Sequence, residues 1–112
     1  MTKAALLTSI ISDLGANYST SDANLLSTLL DEMIDEALFI SNRKHLATDE
    51  VMLNLQLDIL SPNIRRAVKT VYLQRGAEDV VSQSRSGLNS TYDKAIETMQ
   101  KDIARTGKRI VI

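Results

Sequence analysis

The sequence predicts an all-α protein: a small bundle of four to five helices, with a loose loop or hairpin at about 79–91 and an extended C-terminal tail. Three observations carry that expectation. Apolar residues recur at three/four spacing through most of the 112 residues, as expected for helices that bury one face. With one Phe, three Tyr and no Trp, the interior must be filled by four Met and many Leu and Ile, a composition that favours helices. Only one Pro interrupts the chain.

Thr2 is placed to cap a first helix, in which Leu6, Leu7, Ile10, Ile11 and Leu14 form an apolar stripe and Gly15 ends the run. Three turns are marginal alone, so this helix must dock, either on the core or on a neighbouring copy. A polar linker, Asn17–Ser21, leads to the longest helix, from Ser21 or Asp22 to about Ile40. Its apolar face is Leu25/Leu26, Leu29/Leu30, Met33/Ile34 and Ala37/Leu38. Asp31, Glu32, Asp35 and Glu36 crowd the opposite side. Carboxylates four apart can share a metal, but a di-metal bundle adds histidines in Glu-x-x-His register and this segment has none. A solvated or partner-facing acidic surface is expected instead. Phe39 falls on the polar side, so either the helix frays before it or it anchors an interface; the second is preferred.

Ser41–Ala47 is a basic turn holding Arg43, Lys44 and the one histidine, His45, expected to be solvated. Thr48-Asp49-Glu50 starts the next segment, where two periods compete. Val51, Leu53, Leu55, Leu57 and Ile59 alternate as in a strand, while Met52, Leu55 and Ile59 fit a helix. Leu, Met and Gln prefer helix and no strand partner is evident, so helix is expected. Ser61 and Pro62 then read as a fresh start, an N-cap followed by proline at the first helical position. Ile64, Ala67, Val68, Val71, Tyr72 and Arg75 share one face, Arg65, Arg66 and Lys69 lie off it, and Gly76 is placed for a left-handed closing turn. The excursion that follows is Ser-rich (Ser82, Ser84, Ser86, Ser90) around Gly87, and Val80, Val81, Leu88 and Tyr92 allow a loose hairpin. A last helix from about Tyr92 carries Tyr92, Ile96, Met99 and Ile103 on one face and a Glu97/Lys101 pair on the other. Gly107 stops it, and Lys108-Arg109-Ile110-Val111-Ile112 forms the tail. Residues 1–107 thus make one helical domain.

At 44% apolar, a chain of this length buries a modest core. It has no cysteine, which excludes disulfides and thiolate metal sites. No apolar run reaches about eighteen residues and the N-terminus lacks a signal pattern, so a cytoplasmic protein is the simplest expectation. The net charge of −1 hides an asymmetry. Residues 1–60 hold three Lys/Arg against nine Asp/Glu, or −6; residues 61–112 hold ten against five, or +5. Such halves suit head-to-tail packing between copies, or they neutralise each other within one monomer. The Ser-rich segment has neither a Gly-x-Ser-x-Gly elbow nor a second histidine, and no nucleophile, base and electrophile assemble, so an enzyme is not expected.

Residues 61–112 resemble one family in the order of their parts. These are a helix, Tyr72-Leu73-Gln74-Arg75-Gly76-Ala77-Glu78, Ser82-Gln83-Ser84, Gly87, Ser90-Thr91-Tyr92-Asp93, an amphipathic helix, Gly107 and a basic-aliphatic tail. The family is the head–tail connector (adaptor) proteins of long-tailed bacteriophages, small helical proteins that form a ring beneath the portal. The resemblance extends diffusely over 22–60. It implies a virion protein that assembles from the host cytoplasm into a ring of about twelve copies through heterologous contacts. One face of the ring would bind the portal and the other a stopper or tail-completion protein, with DNA only in passage through the channel and no cofactor. On this reading Lys108, Arg109, Ile110, Val111 and Ile112 suit strand addition to a portal edge and are dispensable for the fold. Ser82, Ser84, Arg85, Ser86 and Gly87 face the channel or the next ring. Asp31, Glu32, Asp35, Glu36 and Phe39 meet Arg65, Arg66 and Lys69 of a neighbour. A near-neutral subunit fits a channel that must not grip phosphate. The alternative is a small nucleic-acid-binding regulator using Arg65, Arg66 and Lys69, which the slightly acidic total charge and the lack of a base-reading set disfavour.

Overall fold

A threonine hydroxyl opens the chain's first helix. Thr2 Oγ1 accepts from the Ala5 amide at 3.1 Å, and Gly15 at φ 54°, ψ −124° closes the helix, a backbone region that is nearly glycine's alone. The structure, a computed structural model, describes residues 1–78 and 85–111, with the side chains of all these except 75–78 and 85–91. It contains helices α1 (Lys3–Leu14), α2 (Ala23–Ile40), α3 (Glu50–Glu78) and α4 (Arg85–Arg105), and no strand among the described residues. The all-α bundle the sequence predicts is therefore the fold. Two short 3₁₀ turns, Gly15–Asn17 and Thr20–Asp22, fill the polar linker, and a third, Lys44–Leu46, leaves His45 exposed.

Helix α3 is the pillar of the bundle. It packs against each of the other three helices, most extensively α4. Asp49 caps it, with Oδ1 accepting from the Met52 amide at 2.8 Å. Over 51–60 the helical period prevails over the alternating one. Leu57 and Leu60 are fully buried and Leu53 partly so, while Leu55 and Val51 are exposed. Leu55 thus lies off the face on which the helical reading put it.

Ser61-Pro62 does not start a helix, contrary to expectation. α3 runs unbroken through both residues. The physical reason is which face proline occupies. Pro62 lies on the exposed side, and its missing N–H forfeits one hydrogen bond, to the carbonyl of the equally exposed Asp58. With the ring's clash against the preceding turn, proline inside a helix costs about 3 kcal/mol relative to alanine. The buried row Leu57, Leu60, Ile64, Val68, Val71 crosses the same point, and each such side chain gains about 1.5–3 kcal/mol by burial, so the row prevails.

Two further expectations need correction. α3 also passes through Gly76 to Glu78, so Gly76 is not a left-handed cap; among the described residues the positive-φ glycines are Gly15 and Gly107. Glycine is free to adopt that turn but equally free to stay helical. Helix α4 begins at Arg85 rather than near Tyr92, so no hairpin forms over 85–91. Ser, Asn and Thr are only mildly poor helix formers, and no proline separates them from the amphipathic run beyond. The rest of the expected hairpin, 79–84, lies outside the described residues.

The core follows the predicted stripes. Leu6, Ile10 and Leu14 of α1 and Leu26, Leu30, Met33 and Ala37 of α2 join Met99 and Ile103 of α4 around α3. At one end Tyr72, 5% exposed, ties α3 to the linker: its hydroxyl donates to Asp22 Oδ2 at 2.6 Å and accepts from the Ser19 amide at 3.3 Å. Its ring lies 6.2 Å from that of Tyr18.

Candidate functional site

Three places stand out as candidates, and the expected functional residues fall mainly on the first two. The first is the corner between α2 and α3. Ser41, fully buried, ends α2, and Asn42 follows in the left-handed region at φ 58°, which Asn tolerates better than most residues. This corner holds the C-terminal tail. The Ile110 amide donates to the Ser41 carbonyl at 2.9 Å, and Asn42 Nδ2 donates to the Ile110 carbonyl at 3.1 Å. Arg43 Nε donates to the Lys108 carbonyl at 2.8 Å while Arg43 Nη1 donates to Gln56 Oε1 at 3.0 Å. Lys108 Nζ reaches Asn63 Oδ1 at 2.8 Å. The tail therefore belongs to the bundle as far as Ile110. Arg109 is exposed, Val111 is 87% exposed and Ile112 lies outside the described residues. Phe39, 73% exposed, sits in the last turn of α2, and its carbonyl accepts from the Asn42 amide.

The second place is the charged surface. Arg65 and Lys69, one turn apart, converge on Asp13 of α1, with Arg65 Nη2 at 2.5 Å and Lys69 Nζ at 3.1 Å from the same carboxylate oxygen. Hydrogen bonds from Arg65 and then Lys69 hold the Asp13 carboxyl below the usual carboxylate range. Arg66 pairs with Asp102 of α4. All three expected interface cations thus have carboxylate partners within the chain, and Asp13 joins the acidic half to the basic half. On α2, Asp31 pairs with Lys3 at 2.5 Å, and Glu32, Asp35 and Glu36 follow along the helix. Tyr92, half-buried on α4, faces this side. Burial, then the charges of Glu32 and Glu36 and a hydrogen bond to Glu32, push its hydroxyl up to about 12. Of the expected channel residues, Arg85, Ser86 and Gly87 form the first turn of α4, and Ser82 and Ser84 lie outside the described residues.

The third place is one that sequence reasoning missed, a groove of about 310 Å3 between α3 and α4. Ala67, Ala95 and Met99 floor it, and two buried polar residues, Asn63 and Asp102, stand at one end. The signal was present: Asn63 falls four before Ala67 on the buried stripe, and Asp102 falls three after Met99 on its own. A polar residue in such register either has a partner or costs stability, which marks it for attention.

Among the described residues no cluster of three His, Cys, Asp or Glu could hold a metal ion, and no helix is long and apolar enough to cross a membrane. No protein-family model, curated protein or solved structure matches this chain.

Proposed function

We propose that this chain is a head–tail connector: a structural subunit that assembles into a ring beneath a phage portal and joins it to a stopper or tail-completion protein. One observation carries the reading beyond the family resemblance. The tail is led back to the end of α2 by three hydrogen bonds and tied to α3 by a fourth, so that Arg109 and Val111 are offered to solvent at the same corner as Phe39. A short basic-aliphatic segment held at Lys108 and Ile110, with Arg109 and Val111 exposed, suits strand addition, because its ordering entropy is largely spent beforehand. Arg65 and Lys69 are engaged by Asp13. Neighbour-facing charge in this reading therefore falls to Asp35 and Glu36 of α2, and to Arg66, whose side chain is 61% exposed despite its partner. The same ion pairs weigh against the nucleic-acid alternative, since the charge of each cation is already offset by a carboxylate beside it.

Light scattering and negative-stain images of the purified protein, alone and mixed with portal rings, test this directly. Rings of about twelve copies, or a ring formed only on the portal, are expected. Val111→Ser and Phe39→Ser should weaken portal docking without lowering the thermal midpoint. A protein that stays monomeric and ignores portal rings would end the proposal.

A further inference from the structure

The groove between α3 and α4 has an unbalanced polar lining. Asn63 is 5% exposed, and an ammonium group can only donate, so the atom that Lys108 meets at 2.8 Å is the amide oxygen. Asn63 lines the groove, and among the described residues its Nδ2 group has no acceptor. An unmet donor at that depth is costly and rare. Asp102, 8% exposed, is the one carboxylate of the groove among the described residues, and both its oxygens are taken, Oδ2 by Arg66 and Oδ1 by Arg105 at 2.8 Å. Arg66 and Arg105 both pair with that carboxylate, and Lys108 meets Asn63, so among the described residues cations outnumber the carboxylate around these two groove residues. Arg66 spends one N–H on Asp102 and has four more. At the far end Lys94 has no carboxylate partner among the described residues. Between the ends Ala67, Ala95 and Met99 supply an apolar floor.

We propose that this groove is a binding site for a carboxylate on a short aliphatic stem. The carboxylate accepts from Asn63 Nδ2 and from the remaining N–H groups of Arg66, and the stem lies along Ala67, Ala95 and Met99. The volume, at the small end for ligand sites, accommodates such a ligand. The same chemistry is offered by a free short-chain acid and by a glutamate side chain of a partner protein. The inference does not rest on the connector reading.

The test is a titration of the full-length, ¹⁵N-labelled chain followed by amide shifts. The probes are hexanoate, hexanol, sulfate and a blocked peptide with one central Glu. Hexanoate or the Glu peptide should give saturable shifts confined to 63–74 and 94–102, at least about tenfold tighter than hexanol or sulfate. Preference for hexanoate assigns a free acid, and preference for the peptide assigns a partner's side chain. Asn63→Asp keeps an acceptor for Lys108 but turns the donor into a negative charge, and should weaken binding about tenfold or more. Should that variant fail to fold, Thr98→Leu, at an exposed position on the rim, fills the groove instead and should abolish binding. Equal affinity for hexanol or sulfate, unchanged binding by the folded variant, or no saturable shift with any probe would each overturn the proposal.

Discussion

Replacing Pro62 by alanine should stabilise this protein. In a helix interior proline costs about 3 kcal/mol relative to alanine, through a lost hydrogen bond and a clash with the preceding turn. Pro62 stands twelve residues beyond the first residue of the 29-residue α3, far from the position where its missing N–H would be free. The bundle has already adapted to the ring, so only part of that cost is recoverable. The amide restored at 62 can bond the Asp58 carbonyl, worth about 1 kcal/mol, and some relief of the turn adds to it. No core contact is lost, because Pro62 is exposed. A gain of about 1–2 kcal/mol is expected, which raises the thermal midpoint by roughly 4–10 °C in a domain of this size. Circular dichroism at 222 nm during thermal and urea unfolding measures it. A neutral or destabilising Pro62→Ala would refute the reasoning. It would mean that Ser61 caps and Pro62 opens a separate helix, where alanine removes a favourable residue.

Three other outcomes follow from the same contacts. Tyr72→Phe removes a hydroxyl that bridges Asp22 and Ser19, and should cost about 1.5–3 kcal/mol in urea unfolding, since one partner is a carboxylate. Deleting 108–112 removes the bonds to Ser41, Asn42, Arg43 and Asn63; discounted for their partial exposure, these should lower stability by about 2–4 kcal/mol, against the sequence expectation that the fold would be indifferent. The folded pKa of Asp13 is depressed, so the stability it contributes is present above its unfolded value and lost as pH falls through the folded one. Asp13→Asn should therefore flatten the fall in thermal midpoint below about pH 4, while the wild type declines.

The helices were legible where one period ruled. Leu6/Ile10/Leu14 and the eight-residue face of α2 admit only a helix with that side inward, and Thr2, Gly15 and Gly107 mark its punctuation by chemistry that acts locally. Leu55 apart, the failures concern where helices start and stop. Ser61, Pro62, Gly76 and Gly87 are residues that permit an ending, and whether a permitted ending is used depends on the apolar row alongside, which is a tertiary quantity. At 61–62 the row continues on the face opposite proline, so the permission is not taken.

The candidate sites were hidden for a related reason. Sequence places Arg65, Arg66 and Lys69 outward but cannot say what stands opposite, and the opposing groups are Asp13, fifty-two residues from Arg65, and Asp102, thirty-six residues beyond Arg66. Oppositely charged halves were equally compatible with neutralisation inside one copy or between copies. The Asp13 pairs show that part of the neutralisation is internal. Screened surface pairs contribute little to stability. Their consequence is for recognition: a cation already beside a carboxylate has its charge offset and only its spare N–H groups to offer another anion, whereas Lys94, on the groove rim, has no carboxylate partner among the described residues. Selectivity for an added anion should therefore reside in the groove, where the sequence shows only two misplaced polar residues on two greasy stripes.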